Sequence, residues 1–135
     1  MKSDLHQIAL DARLKAYAPY SRFSVGAALL TESGEVFSGC NVENVSFGLT
    51  MCAERVAVGK AIAAGQSALK AIAIVSDSEV PVVPCGGCRQ VMAEFNPELS
   101  IISWTLSGQK AEFTLASLLP LARQGMIEAD VPRGT

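Results

Sequence analysis

Three cysteines and one glutamate carry the chemistry that this sequence can do. Cys85 and Cys88 form a Cys-x-x-Cys pair directly after Pro84, and Cys52 stands two residues before Glu54. Two thiols three positions apart at a helix start converge on one point, which suits a single soft metal ion. With Cys52 added, the set offers zinc three strong ligands and a neighbouring carboxylate that is not needed as a ligand. Three protein ligands and an open fourth position describe a catalytic zinc, not a structural one. Such a site acidifies bound water towards hydroxide near neutral pH, with Glu54 as the adjacent proton carrier. Three thiolates more than cancel the zinc charge. A cation donating to the sulfurs would offset this, and Arg55 and Arg89 stand next to the ligands; a surface ion pair is the plainer reading of each. Cys40 is the remaining cysteine. Its place at the end of an apolar stretch suits a small buried residue. If it joined the other three, the site would be closed and the protein a binding module with a structural four-cysteine zinc.

These residues need elements to position them. Ser3 reads as an N-cap to a helix over 4–17, with Leu5, Ile8, Ala9 and Ala12 at helical spacing. His6 lies on it, with no partner at ligand spacing, and reads as a surface histidine. Ala18-Pro19 breaks the helix. A hairpin follows, with strands over 23–31 and 35–40 around Glu32-Ser33-Gly34. Thr50 or Met51 caps a second helix ending near Ala64, with Gly65 as its stop. Cys52 and Glu54 then lie in its first turn, where exposed N–H groups favour thiolate. A strand over 71–76 is apolar on both faces and so central. The loop 77–83 leads to Pro84, and a helix over 86–95 carries the Cys-x-x-Cys pair at its start until Asn96-Pro97 stops it. Strands over 100–106 and 111–114, a short helix over 115–121 and an irregular tail complete the chain. The expected fold is α/β: a three-layer α/β/α sandwich around a five-stranded mixed sheet.

At 135 residues the chain reads as one domain, 1–135, able to bury a core without disulfides. Its net charge is −2, charged residues are 18%, and no basic stretch follows a phosphate backbone, which argues against nucleic acid. Half the chain is apolar and the mean hydropathy is +0.31, so part of the apolar excess is expected at an intersubunit surface. No apolar run reaches membrane-span length. Met1-Lys2-Ser3-Asp4 lacks the apolar segment of a signal peptide, and ligand-spaced cysteines suit a reducing cytoplasm. Between the hairpin and the second helix, Asn41 and Glu43 are two apart, so an extended chain points both to one pocket. An amide beside a carboxylate suits ribose hydroxyls; a self-bonded turn is the structural alternative.

Cys52-Ala53-Glu54-Arg55 followed by Pro84-Cys85-Gly86-Gly87-Cys88-Arg89-Gln90-Val91 resembles the signature of the zinc-dependent nucleoside deaminases. A cysteine stands where base-editing relatives carry histidine. With Gly39-Cys40-Asn41-Val42-Glu43-Asn44 included, residues 16–120 resemble the small homotetrameric cytidine deaminases. That resemblance implies hydrolysis of cytidine and deoxycytidine to uridine and deoxyuridine, with hydroxide on Zn2+ attacking C4 and Glu54 shuttling protons in pyrimidine salvage. It also implies that Phe23 stacks on the pyrimidine, although ordinary core packing would explain it too. The same resemblance assigns Asn41 and Glu43 to the ribose, Ala53 to contact with substrate, and Arg55 to a place against the thiolates. Val45 and Phe47 would be offered to a neighbour's site. A tyrosine is usual at the position of Phe47, and an aromatic usually follows Leu-Leu-Pro, where this chain has Leu121-Ala122-Arg123. A deaminase of a modified nucleoside such as blasticidin S is the nearer rival reading.

Overall fold

The computed structural model describes residues 2–124. Its first helix, α1 (Lys2–Arg13), begins ahead of the expected cap at Ser3 and ends four residues short of Tyr17. The early stop has a tertiary cause. Tyr17 donates its N–H to the Asn41 carbonyl at 2.9 Å and accepts from the Glu43 N–H at 2.8 Å, so its backbone is committed to a bridge. The intervening residues tighten into bonds from residue i to i−3, such as Ala16 N–H to Arg13 O at 3.1 Å.

The hairpin consists of β1 (Val25–Thr31) and β2 (Val36–Cys40), which pair antiparallel. Strand β1 begins two residues after Phe23, leaving that side chain in the preceding loop. Next come α2 (Ala53–Ala63), β3 (Leu69–Ser76), α3 (Gly86–Phe95), β4 (Ser100–Thr105), β5 (Lys110–Thr114) and a single turn, α4 (Leu115–Leu118). Sheet order is β2-β1-β3-β4-β5; β3 and β4 are parallel and the other neighbours antiparallel. The tail beyond Gln124 lies outside the described residues.

Alternation along the strands separates the two layers of helix. Ala28 and Leu30 of β1, with Ala71, Ala73 and Val75 of β3, pack under Leu5 and Ala9 of α1. Ala27, Leu29, Ile72, Ile74 and Ile101 face the other way, against Ala57 and Ala61 of α2 and Met92 of α3. The expected five-stranded α/β/α sandwich is therefore the observed fold. Two glycines set its thickness near the site. A Cβ on Gly26 would lie 2.0 Å from the Ala9 carbonyl oxygen, and one on Gly39 would lie 2.3 Å from that of Ala53. On opposite faces of the hairpin, these residues let helix backbone approach strand backbone directly.

Candidate metal centre and substrate cavity

Both helices that carry thiols are capped by a cysteine. Cys52 is the N-cap of α2, one position ahead of the first turn where it was expected, and Cys85 is the N-cap of α3. The Cys85 sulfur accepts from the Cys88 N–H at 3.4 Å, so a thiol here serves as the cap acceptor. Pro84 fixes the entry to α3, while Gly65 (φ 83°) ends α2 with the paired bonds Gln66 N–H to Ala61 O and Gly65 N–H to Ile62 O. The sequence thus builds two helix N-termini pointing at one place, each favouring negative charge.

At that place the ligand atoms of Cys52, Cys85 and Cys88 all lie within 4.8 Å of one another. The Cys52 and Cys85 sulfurs are 3.7 Å apart. Tetrahedral zinc with Zn–S bonds of about 2.3 Å requires sulfurs separated by ~3.8 Å, so the observed spacing fits the ion. Among the described residues these three form the only cluster of this kind. Cys40 is elsewhere: it lines a separate hollow of about 350 Å³ with Lys15 and Lys60, between α1 and α2. The four-cysteine arrangement is not formed.

Mutual hydrogen bonding pushes the thiols in opposite directions. The Cys52 thiol is lowered to about 5, first by its hydrogen bond with Cys88 and then by Arg55. Cys88 is driven the other way by the same bond and by burial. Arg55 donates from Nη2 to the Cys52 sulfur at 3.5 Å, and that contact raises the guanidinium above its ordinary value. Arg89 behaves differently from expectation. Its Nε donates to the Pro84 carbonyl at 2.7 Å and its Nη1 to that of Leu118 at 3.0 Å, so it ties α4 to the ligand loop instead of serving a sulfur. Backbone carbonyls beside the α3 start and at the end of the short α4 outcompete the thiolates for it.

Glu54 lies in the first turn of α2 and is only 5% exposed. Burial pushes its carboxyl up to about 7, with the neighbouring Cys52 charge adding to the rise. It lines a cavity of about 270 Å³ together with Cys52, Ala53, Phe23 and Asn41. A carboxyl titrating near neutrality thus lines the same cavity as Cys52 and Phe23. Val25, Thr50, Met51, Val82 and Val83 complete the wall. The sequence offers Thr50 and Met51 only as helix caps and gives Val25, Val82 and Val83 no signal beyond apolar character.

The model match covers residues 1–103 and is to the cytidine and deoxycytidylate deaminase zinc-binding region. The chain belongs to this family. It is 52% identical over 110 residues to a cytidine deaminase of Sporosarcina psychrophila, covering 81% of each chain. Its structure superposes on the 1.6 Å crystal structure of cytidine deaminase from Burkholderia pseudomallei with a TM-score of 0.86 and 48% identity. That match covers 89% of this chain and 97% of the other. A blasticidin-S deaminase of Bacillus cereus is more distant, at 31% over 109 residues, covering 75% of this chain and 77% of the relative. Zinc is the cofactor of this family, and the three-cysteine cluster fits it.

The remaining expected residues divide between two hollows of this family member. Asn41 reaches the first, but its amide is already engaged: Nδ2 donates to the Phe23 carbonyl at 2.8 Å and Oδ1 accepts from the Val25 N–H at 2.9 Å. Glu43 does not share that cavity. Its carboxylate accepts from the Tyr20 N–H at 3.0 Å, the Ser21 N–H at 3.1 Å and the Ser21 hydroxyl. It lines an adjoining hollow of about 390 Å³ with Phe47, and Thr50 borders both. Asn41 and Glu43 thus line adjoining hollows that meet at Thr50, with the turn at Ser21 holding the Glu43 carboxylate. Each keeps spare capacity for a ligand, one amide hydrogen on Asn41 and one lone-pair direction on Glu43. Val45 and Phe47 are 77% and 80% exposed and do not reach the thiols of their own chain.

Proposed function

We propose that this chain is a zinc-dependent hydrolase that converts cytidine and deoxycytidine, with water, to uridine and deoxyuridine, releasing ammonia in pyrimidine salvage. The carrying observation is the buried Glu54 carboxyl, raised to about 7, beside three clustered thiols in a cavity that Phe23 also lines. Cys52, Cys85 and Cys88 hold the metal. Zinc, when bound, supplies the Lewis acidity that makes water a nucleophile near neutral pH. Glu54 takes the proton of the water that attacks C4, delivers it to N3, and then carries a proton to the departing amino group. Its burial suits the work, since a carboxyl near neutrality both accepts and returns protons.

Phe23 stacks on the pyrimidine and excludes water from one face. Ala53 opens α2 beneath the ring, and Asn41 and Glu43 use their spare hydrogen-bonding capacity on the ribose. Arg55 tempers the thiolates by donating to Cys52, which preserves the metal's acidity. The reading extends to the whole chain, 1–135, as one deaminase domain working as a homotetramer in the cytoplasm. Support for assembly comes from the exposed Val45, Phe47 and Leu49, of which Phe47 lines the second hollow; another copy would cover them. No helix among the described residues is long and apolar enough to cross a membrane.

The test is an absorbance assay on cytidine, deoxycytidine, cytosine, adenosine and blasticidin S. Turnover of the two cytidines alone is expected. Preference for blasticidin S would replace this reading with the modified-nucleoside one.

A further inference from the structure

Asp77 follows β3, outside the cavity, yet its carboxylate bridges two distant parts of the chain. Oδ1 accepts from Arg13 Nη1 of α1 at 2.8 Å, and Oδ2 accepts from the Ser24 N–H at 2.9 Å. The Asp77 N–H in turn donates to the Ser24 carbonyl at 3.2 Å. Ser24 directly follows Phe23, which is held on its other sides as well. The Phe23 N–H donates to the Ser21 hydroxyl at 3.0 Å, and its carbonyl accepts from Asn41. The chain enters this segment through Arg22 at φ 59°, a left-handed conformation costly to a residue with a Cβ. Such a conformation persists only where the surroundings impose it.

The ion pair is not a loose surface contact. The side chains of Arg13 and Asp77 are 18% and 26% exposed, and Arg13 Nε is sealed from solvent with no partner among the described residues. A pair so placed is screened less than an open one and holds its geometry. We propose that the Arg13–Asp77 pair is a positioning device for the substrate ring, fixing Ser24 so that the Phe23 side chain meets the cavity shared with Glu54. The inference rests on the proposed deamination and on Phe23 as the stacking face. Helix α1, which contributes nothing to the cavity wall, thereby acts on ring binding through a bond spanning 64 residues.

Asp77→Asn preserves size but turns one oxygen into an amino group, which must face a donor at either Ser24 or Arg13. In zinc-loaded protein this variant is expected to raise KM for cytidine about tenfold, with kcat within about twofold, as befits loss of a charge-assisted hydrogen bond that positions a binding side chain. In a Phe23→Leu background the same change is expected to alter KM by less than about twofold, because its route to the substrate is gone. An equal KM effect in both backgrounds, or none in either, overturns the proposal. If Asp77→Asn does not fold, Arg13→Met and Arg13→Lys decide: Met raising KM and Lys restoring most of it supports the pair, and wild-type KM in Arg13→Met sinks it. Hydrogen exchange reads the same question without substrate. Faster exchange confined to residues 20–25 of Asp77→Asn is expected, whereas loss spread along α1, or no change, contradicts the assignment. Should the wild type prove inactive on cytidine, the function proposed above fails while this readout still reports on the clamp.

Discussion

The thiol side of the site and the segment from Val42 to Met51 are joined at Thr50, yet they are built on opposite plans. Around the thiols the site is anchored in the core: Cys88 and Glu54 are buried beneath the exposed Cys85, two helix caps aim the sulfurs, and Gly39 lets α2 lie directly on the sheet. Along 42–51 the apolar side chains face outward, and the polar group that matters most, Glu43, is held by the turn at Ser21. The three clustered thiols and Glu54 all come from one chain. The segment 42–51 instead presents Val45, Phe47 and Leu49 to its surroundings. A change on the first side should therefore act on metal and turnover, and a change on the second on affinity and assembly.

The largest effect should follow removal of one ligand. Cys85→Ala is expected to lose bound zinc and all measurable deamination while the apolar core stays folded; zinc analysis with circular dichroism checks this. Retained zinc would mean that the reacting half is not what the sulfur cluster suggests. Next comes Glu54→Gln, expected to keep zinc and lower kcat by about 10²–10⁴-fold. Near wild-type turnover would take Glu54 out of the proton path.

These two residues were also the most legible in the sequence, because the information that fixes them is local. Pro84, the Cys-x-x-Cys spacing and Asn96-Pro97 punctuate α3 completely, and its observed span, Gly86–Phe95, is the expected one. Where the structure departs from expectation, the deciding contact is distant in sequence. Arg89 turns to the carbonyl of Leu118, 29 residues away. Helix α1 stops early because the Tyr17 backbone bonds to Asn41 and Glu43, bridging to Val42 just past β2. Asn41 and Glu43 have the right spacing to share a pocket, but nothing near them announces that Tyr20 and Ser21 will claim the carboxylate. Alternation and spacing specify elements and metal ligands; competition among hydrogen-bond partners is settled only when the chain closes on itself.

On the open side, effects should be smaller and of another kind. Phe47→Ser is expected to retain zinc and leave kcat within about tenfold, while it weakens subunit association and raises KM; sedimentation and kinetics together check this. Unchanged association would leave the exposed apolar segment without its proposed partner. The smallest effect concerns Glu43. The Ser21 hydroxyl and amide hold its carboxyl below the ordinary 4.5, so its contribution to the turn is full above that value and lost as pH falls through the lower folded one. In acid, the amides of Tyr20 and Ser21 should exchange faster before the core does. Glu43→Gln should abolish that pH dependence, and persistence of it would assign the titration to another group.

X-ray absorption at the zinc edge of the purified protein tests the central claim most directly. One zinc per chain with three sulfur neighbours at about 2.3 Å and one lighter neighbour is predicted, unchanged in Cys40→Ser. Four sulfurs around the metal, or a protein that binds no zinc at all, would contradict it.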